Sequence, residues 1–236
     1  MTEPIQGDGA KRARNSDESP IHSIQSYLKH THSAVSKLFE ARYSYDELLL
    51  FPERPGFTAW GDDEERIEKE YQKWAEDNKA QIEERLQRDE QFADEVFAIR
   101  TLCGAILQFA FMAIKQFSEN TSVPDSFQEV IKPNTIPAKF CIGRLIDDIP
   151  LGLVVYAGRN QSHHYDDGWY REPTKTVFSR LANWYSPTFR KYFFDDRFDL
   201  NNQNIINFAD WILWKLDWNT AADYEEDMRS LFHCSS

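Results

Sequence analysis

Residues 96–117 read VFAIRTLCGAILQFAFMAIKQF, and this stretch decides the fold class. Its apolar residues recur every three or four positions for about six turns, which predicts an α-helix. They also spread around the helix, as is typical of a helix that is buried on several sides. No segment of the chain alternates apolar and polar residues between hairpin turns. The sequence therefore predicts an all-α protein, a helical bundle with residues 96–117 at its centre.

Helical spacing recurs on both sides of this central segment. Residues 62–90 are polar around most of the helix and begin with acidic residues, which predicts a long acidic helix. The run Leu151–Tyr156 is rich in Val and Leu and fits either a buried helix or a strand. The other predicted helices cover residues 21–50, 174–192, 201–217 and 220–232.

The chain divides into three predicted regions. Residues 1–19 hold few large apolar groups, so we expect a disordered tail. Residues 20–90 are predicted to form an N-terminal helical extension, and residues 91–236 the main helical domain. A chain of 236 residues, of which 41% are hydrophobic and 14% aromatic, is large enough for one substantial core.

The sequence predicts a cytoplasmic protein without membrane contact. No run approaches the roughly 18 apolar residues that cross a bilayer, and the polar stretch Met1–Arg14 lacks the apolar segment of a signal peptide. Cys103, Cys141 and Cys234 are widely spaced and form no Cys-x-x-Cys pair. We therefore expect free, buried thiols rather than disulfides or a zinc site.

Charge is distributed unevenly along the chain. The net charge of −12 opposes binding to the phosphate backbone of nucleic acids. Residues 62–95 carry 14 acidic and 6 basic side chains, whereas residues 139–191 carry 8 basic and 5 acidic ones. We therefore expect an anionic ligand to bind in the second region, with Arg144, Arg171 and Lys175 as candidate substrate-binding residues.

A dense polar motif lies inside this basic region. Residues 156–167 read YAGRNQSHHYDD and combine a cation, amides, a hydroxyl, two imidazoles and two carboxylates. Arg159 can stabilise the extra negative charge on a pentavalent phosphate, and a histidine can carry a proton to or from a ribose hydroxyl. These groups suffice to cleave a phosphodiester bond without a metal ion.

Residues 159–164, RNQSHH, resemble the signature of the HEPN superfamily, in which an Arg and a polar residue precede a His four to six positions after the Arg. The resemblance covers residues 90–220. It implies a metal-independent endoribonuclease whose homodimer brings Arg159 and His164 of both protomers to one shared cleft. Members commonly act as toxins or antiviral effectors, which makes RNA the substrate and an antitoxin or regulatory protein a further partner. Other members are noncatalytic dimerisation or binding modules, and this alternative stays open.

Two histidines compete for the catalytic role. In an uninterrupted helix His163 shares a face with Arg159, and His164 shares a face with Asn160, because residues four apart lie above one another. We predict that His164 is the catalytic imidazole, with Asn160 placed to orient its ring or the phosphate. This requires either that the helix frays or ends near Ser162, or that the cleft is wide enough to be reached from two flanks across the dimer axis. The acids at 166–167 are placed to hold the second ring nitrogen of His164.

Simpler interpretations of these residues stay open. Arg159 can form a surface ion pair with Asp166 or Asp167, and the two histidines can be solvated. The His and Asp side chains of residues 163–167 can bind a metal ion, but the chain has no His-Glu-x-x-His pattern and no glycine-rich phosphate loop. We therefore expect neither a metal site nor a cofactor. The tryptophans of residues 211–218 are expected in the core or a dimer interface, or as a base-stacking platform.

Overall fold

Helices dominate the computed structural model, which describes residues 21–48, 56–59, 63–167, 169–186, 188–202 and 207–233. The strands among these residues form two short antiparallel hairpins. The all-α prediction is therefore confirmed. The predicted tail at residues 1–19 lies outside the described residues.

Seven α-helices are joined by hairpins and short 3-10 turns in the described part of the chain. The helices are α1 (Ile24–Leu48), α2 (Glu64–Asp77), α3 (Lys79–Phe117), α4 (Leu151–His163), α5 (Thr174–Ala182), α6 (Ala209–Lys215) and α7 (Ala221–His233). The hairpins are β1 (Leu145–Ile146) with β2 (Ile149–Pro150), and β3 (Asn183–Ser186) with β4 (Lys191–Phe194). The 3-10 turns are Asp125–Phe127, Pro137–Phe140 and Asp196–Phe198.

Helix α3 lies at the centre of the packing, as its periodicity predicts. Helices α1, α4 and α6 all pack against it. Burying one large aliphatic side chain contributes about 1.5–3 kcal/mol, so this helix supplies much of the stabilisation of the core. Its fully buried side chains are Cys103, Ile106, Leu107, Ala110, Ala113 and Ile114.

The predicted acidic helix at residues 62–90 is two helices in the structure. Helix α2 begins after Asp63, whose carboxylate caps it, and ends before Asn78. The Asn78 side chain donates to the carbonyl oxygen of Trp74 at 2.7 Å, which is a local bond of the kind that ends a helix. Helix α3 then continues without interruption into the core. The predicted domain boundary between residues 90 and 91 therefore falls within α3.

Helix α1 shares the same core. It packs against α3 and α7, and its buried face includes Leu28, Val35 and Phe39. The hydroxyl of Tyr27 donates to the carbonyl oxygen of Phe109 in α3 at 2.9 Å. The first helix thus belongs to the hydrophobic core of the main domain.

One segment within α3 has the length and composition of a membrane-crossing helix. It covers Asp94–Phe117, and an 18-residue window within it has a mean hydropathy of 1.8. Half of that window is buried inside the protein. The core helix of a soluble protein has the same length and composition, so the segment is weak evidence for a membrane span.

The predicted helix at residues 174–192 is wrong in its second half. Helix α5 ends at Ala182, and the strands Asn183–Ser186 and Lys191–Phe194 pair as the hairpin β3–β4. The two strands are rich in Trp, Tyr and Phe, which favour extended backbone. In addition, Pro187 in the sequence cannot continue a helical hydrogen-bond ladder. Periodicity alone missed the hairpin, because aromatic residues fit both patterns.

The predicted helix at residues 201–217 is too long, because α6 covers Ala209–Lys215. Residues 203–206 of that prediction lie outside the described residues. The N–H of Phe208 donates to the buried side-chain oxygen of Gln161 at 2.9 Å, just before α6 begins. A side chain of α4 therefore fixes where α6 starts. The final predicted helix agrees with α7.

Candidate active site at the end of helix α4

Helix α4 carries the polar motif and is packed against α3, α5 and α6. Residues 151–156, whose sequence fitted either a strand or a buried helix, are helical and mostly buried. Two glycines permit the close packing: a Cβ at Gly152 would lie 2.4 Å from the carbonyl oxygen of Phe140, and one at Gly158 would lie 2.8 Å from a methyl carbon of Ile212. The motif thus occupies the last turn of a tightly held helix.

Arg159 is half-buried between α4 and α3. Its Nε donates to the side-chain oxygen of Gln108 at 2.7 Å, and its Nη1 donates to that of Asn160 at 3.2 Å. The guanidinium carbon lies 4.7 Å from the centre of the Phe111 ring. No carboxylate forms an ion pair with Arg159 among the described residues, and burial lowers the pKa of its guanidinium. Neutral groups therefore hold this cation in place.

The last carboxylate of the motif pairs with a histidine. Nδ1 of His164 lies 2.9 Å from a carboxylate oxygen of Asp167, and about half of each side chain is exposed. Within the described residues, neither Asp166 nor Asp167 pairs with Arg159, so the ion-pair alternative is not formed. His164 is the first residue after the last turn of α4, which agrees with the first of the two alternatives, a helix that ends near Ser162.

His163 has a different environment. Its Nδ1 lies 3.1 Å from the carbonyl oxygen of Arg159, so this nitrogen carries the hydrogen and donates. Burial lowers the pKa of the His163 imidazole, and the neighbouring charge of Arg159 lowers it further. One nitrogen of this ring is therefore occupied by the helix backbone, and its neutral form is favoured.

Sequence reasoning missed two amide side chains that position the site. Gln161 is fully buried, and its amide donates to the hydroxyl oxygen of Tyr170 at 3.2 Å while its carbonyl accepts from Phe208. Gln108, which holds Arg159, is the polar residue that interrupts the apolar run of residues 105–110. A lone amide within a core helix is a signal that could have drawn attention to Gln108 but does not reveal its partner, whereas the role of Gln161 needed the fold.

The structure does not bring Arg144 to the motif. Its guanidinium donates twice to the carboxylate of Asp227, at 2.9 Å each, and also to the carbonyl oxygen of Leu216. The carbonyl of Arg144 accepts from Leu151 at the start of α4. A helix of this length spans about 20 Å, so Arg144 lies near the opposite end of α4 from His164. Its contacts are structural.

The other two predicted substrate-binding residues lie closer to the motif in sequence and structure. Arg171 has its guanidinium 4.9 Å from the centre of the Trp169 ring. Lys175 lines a groove together with Trp169 and Tyr170. Because Tyr170 accepts a hydrogen bond from Gln161 of α4, this groove is connected to the motif.

The tryptophans near the C-terminus differ in their environments. Trp218 is fully buried and packs edge-on against Tyr224. Trp214 is 46% exposed, and the Arg197 guanidinium lies 4.5 Å from the centre of its ring. Of the three cysteines, Cys103 is buried, Cys141 is partly buried, and Cys234 lies outside the described residues. Trp218 is therefore part of the core, as expected for this group.

The end of α4 combines an Arg that no described carboxylate pairs with, an imidazole paired with a carboxylate, and amide groups that hold the Arg in place. Such a set can bind an anion and transfer a proton. Among the described residues, no three His, Cys, Asp or Glu side chains converge as ligands for a metal ion. No family model, curated protein or solved structure matches this chain.

Proposed function

We propose that this protein is a metal-independent, cytoplasmic endoribonuclease of the HEPN type that acts as a toxin or antiviral effector. The observation that carries the proposal is the state of Arg159, a half-buried cation that neutral side chains hold and no described carboxylate neutralises. A buried charge without a counterion is costly. Such a cation is expected to be retained where an anion binds.

Arg159 would supply most of the attraction for a phosphate. The C-terminal end of a helix carries a partial negative charge, so the backbone of α4 itself repels an anion there. Gln108 and Phe111 hold the guanidinium from α3 and fix its direction before a substrate arrives. Preorganised positive charge of this kind stabilises the extra charge of a phosphorane transition state.

His164 would carry the proton. Asp167 binds Nδ1 of the ring, which leaves Nε2 to act on the substrate. In the cleavage step, the imidazole accepts the proton of a ribose 2′-hydroxyl, the 2′ oxygen attacks the adjacent phosphorus, and the 5′ oxygen of the next nucleotide leaves with a proton. The products are a 2′,3′-cyclic phosphate and a 5′-hydroxyl. His163 is less suited, because its Nδ1 contacts a neutral carbonyl instead of a carboxylate, and because burial and the charge of Arg159 lower the pKa of its imidazole.

A homodimer completes the proposed site. One imidazole serves as the base for the 2′-hydroxyl, and a second is needed as the acid for the leaving oxygen. His164 lies at the exposed end of α4, where the same residue of a second protomer can approach it. Two copies of Arg159 would then face the same phosphate cleft.

The noncatalytic alternative also has an observation in its favour. Helix α2 has no buried residue, and its acidic surface is available to a basic partner such as a regulatory protein. A protein that only docks partners would need this helix and would not need the Arg159 arrangement.

Incubation of the purified protein with total RNA in excess chelator separates these functions. The proposal predicts cleavage in chelator, with products that end in a cyclic phosphate. A noncatalytic module would leave the RNA intact, and a metal hydrolase would cleave only after a metal ion is restored.

A further inference from the structure

One face of the hairpin β3–β4 is unusually aromatic and exposed. Tyr185 lies opposite Tyr192 and Asn183 lies opposite Phe194, so these four side chains point to the same side of the hairpin. The exposed fractions are 48% for Tyr185, 75% for Tyr192 and 62% for Phe194. We call these three rings the hairpin face. A contiguous patch of exposed aromatic rings on a protein surface often marks a binding site.

The opposite side of the same hairpin is different. Trp184 and Phe193 stack on one another, with ring centres 5.1 Å apart, and both are partly buried. The rings on this side of the hairpin therefore pack against each other. The hairpin face retains rings that are open to solvent.

The hairpin face continues into a groove of about 590 Å³. Asn183 and Phe194 line the groove from the hairpin, and Trp169 and Lys175 line it from the other side. Trp169 is 54% exposed, so a fourth aromatic ring lies along the same path. The groove reaches Tyr170, which contacts the motif through Gln161.

Basic side chains flank this surface. Arg171, Lys175 and Arg190 are exposed and form no ion pair with a carboxylate among the described residues, whereas Lys191 lies over the Phe193 ring on the opposite side of the hairpin. The acid in the groove is Asp199, and the backbone N–H and the side chain of its neighbour Asn201 both donate to one of its oxygens. The flanking charge therefore favours a polyanion although the whole chain is acidic.

We propose that the hairpin face and its groove bind single-stranded RNA, with bases stacked on Tyr185, Tyr192, Phe194 and Trp169 and phosphates near the flanking cations. Stacking on aromatic side chains requires bases with free faces, which a single strand offers and a duplex does not. The inference rests on the proposed function for the choice of RNA. It adds a binding surface that would lead the strand toward Arg159.

Fluorescence anisotropy with a labelled 2′-O-methyl oligouridine of about 12 nucleotides tests the surface, because this probe binds but cannot react through its 2′ oxygen. We expect the single strand to bind the wild-type chain more tightly than the matching duplex. Tyr192→Ala and Phe194→Ala should each raise Kd by about 5-fold to 100-fold. Tyr192→Phe keeps the ring and should bind like the wild type.

Phe97→Ala is the matched control, since Phe97 on α3 is 61% exposed, close to the 62% of Phe194. Its Kd should equal that of the wild type. The inference is overturned if the wild type does not bind the probe, if the duplex binds equally well, or if the hairpin variants bind like Phe97→Ala. Hairpin variants that bind normally but lose a dimer in light scattering would assign the face to self-association instead.

The same proteins, assayed on unmodified RNA in chelator, separate this inference from the proposed function. Binding of the probe without cleavage of RNA would end the ribonuclease proposal and leave the surface in place. Cleavage of RNA together with unchanged binding by the hairpin variants would end the inference and leave the ribonuclease.

Discussion

Replacing Gln161 by leucine tests whether this buried amide holds the site together. Leucine has a similar size, so it leaves little cavity, but it removes the hydrogen bonds to Phe208 and Tyr170. The buried N–H of Phe208 then has no acceptor, which costs about 1–3 kcal/mol. The lost bond to the Tyr170 hydroxyl adds about 0.5–1.5 kcal/mol. We expect the free energy of unfolding to fall by about 3 kcal/mol, which lowers Tm by roughly 6–12 °C for a domain of this size.

Urea denaturation followed by the fluorescence of the 7 tryptophans measures the change. The slope of free energy against urea should stay constant, because the fold is unchanged. Gln72→Leu is the matched control: it makes the same substitution on α2, where the exposed amide donates to the exposed Glu68, and should stay within about 0.5 kcal/mol of wild type. A Gln161→Leu protein as stable as Gln72→Leu would refute the reasoning.

Three further substitutions have expected effects on stability. Gly152→Ala should destabilise the fold by about 1–3 kcal/mol in urea denaturation, because its Cβ would lie 2.4 Å from the carbonyl oxygen of Phe140. Arg144→Ala should cost about 1–2 kcal/mol in thermal melts, through loss of its pair with Asp227, and should leave RNA cleavage unchanged. The pKa of His163 is lowered from 6.5, so the unfolded chain binds this proton more readily and stability should fall as the pH drops from 6.5 through the folded pKa. Melts of His163→Gln should show a smaller fall over that range.

The long helices could be predicted from the sequence because their apolar periodicity is strong. The core helix around residues 96–117 and the final helix were predicted near their observed positions. The hairpin β3–β4 was missed because its aromatic residues pack in both helices and strands. The start of α6 depends on Gln161, which is 47 residues away in the chain, so no local pattern contains it.

The candidate site was only partly predictable for the same reason. The motif located Arg159 and the two histidines, and the order of residues predicted an acid near the His164 ring. The partners of Arg159 on α3 could not be deduced, because they come from a helix more than 40 residues earlier in the chain. Local charge also selected Arg144, which the fold uses for a structural pair at the other end of α4.

The most direct test of the account is the rate at which Arg159→Ala cleaves a fluorescent RNA in excess chelator. Because the guanidinium acts on the charge that develops at phosphorus, its loss should reduce the rate by about a hundredfold to a thousandfold while the melting curve changes little. Arg66→Ala, which removes an exposed arginine that pairs with Glu70 on α2, should cleave at the wild-type rate. Cleavage by Arg159→Ala at the rate of Arg66→Ala would contradict the proposed site.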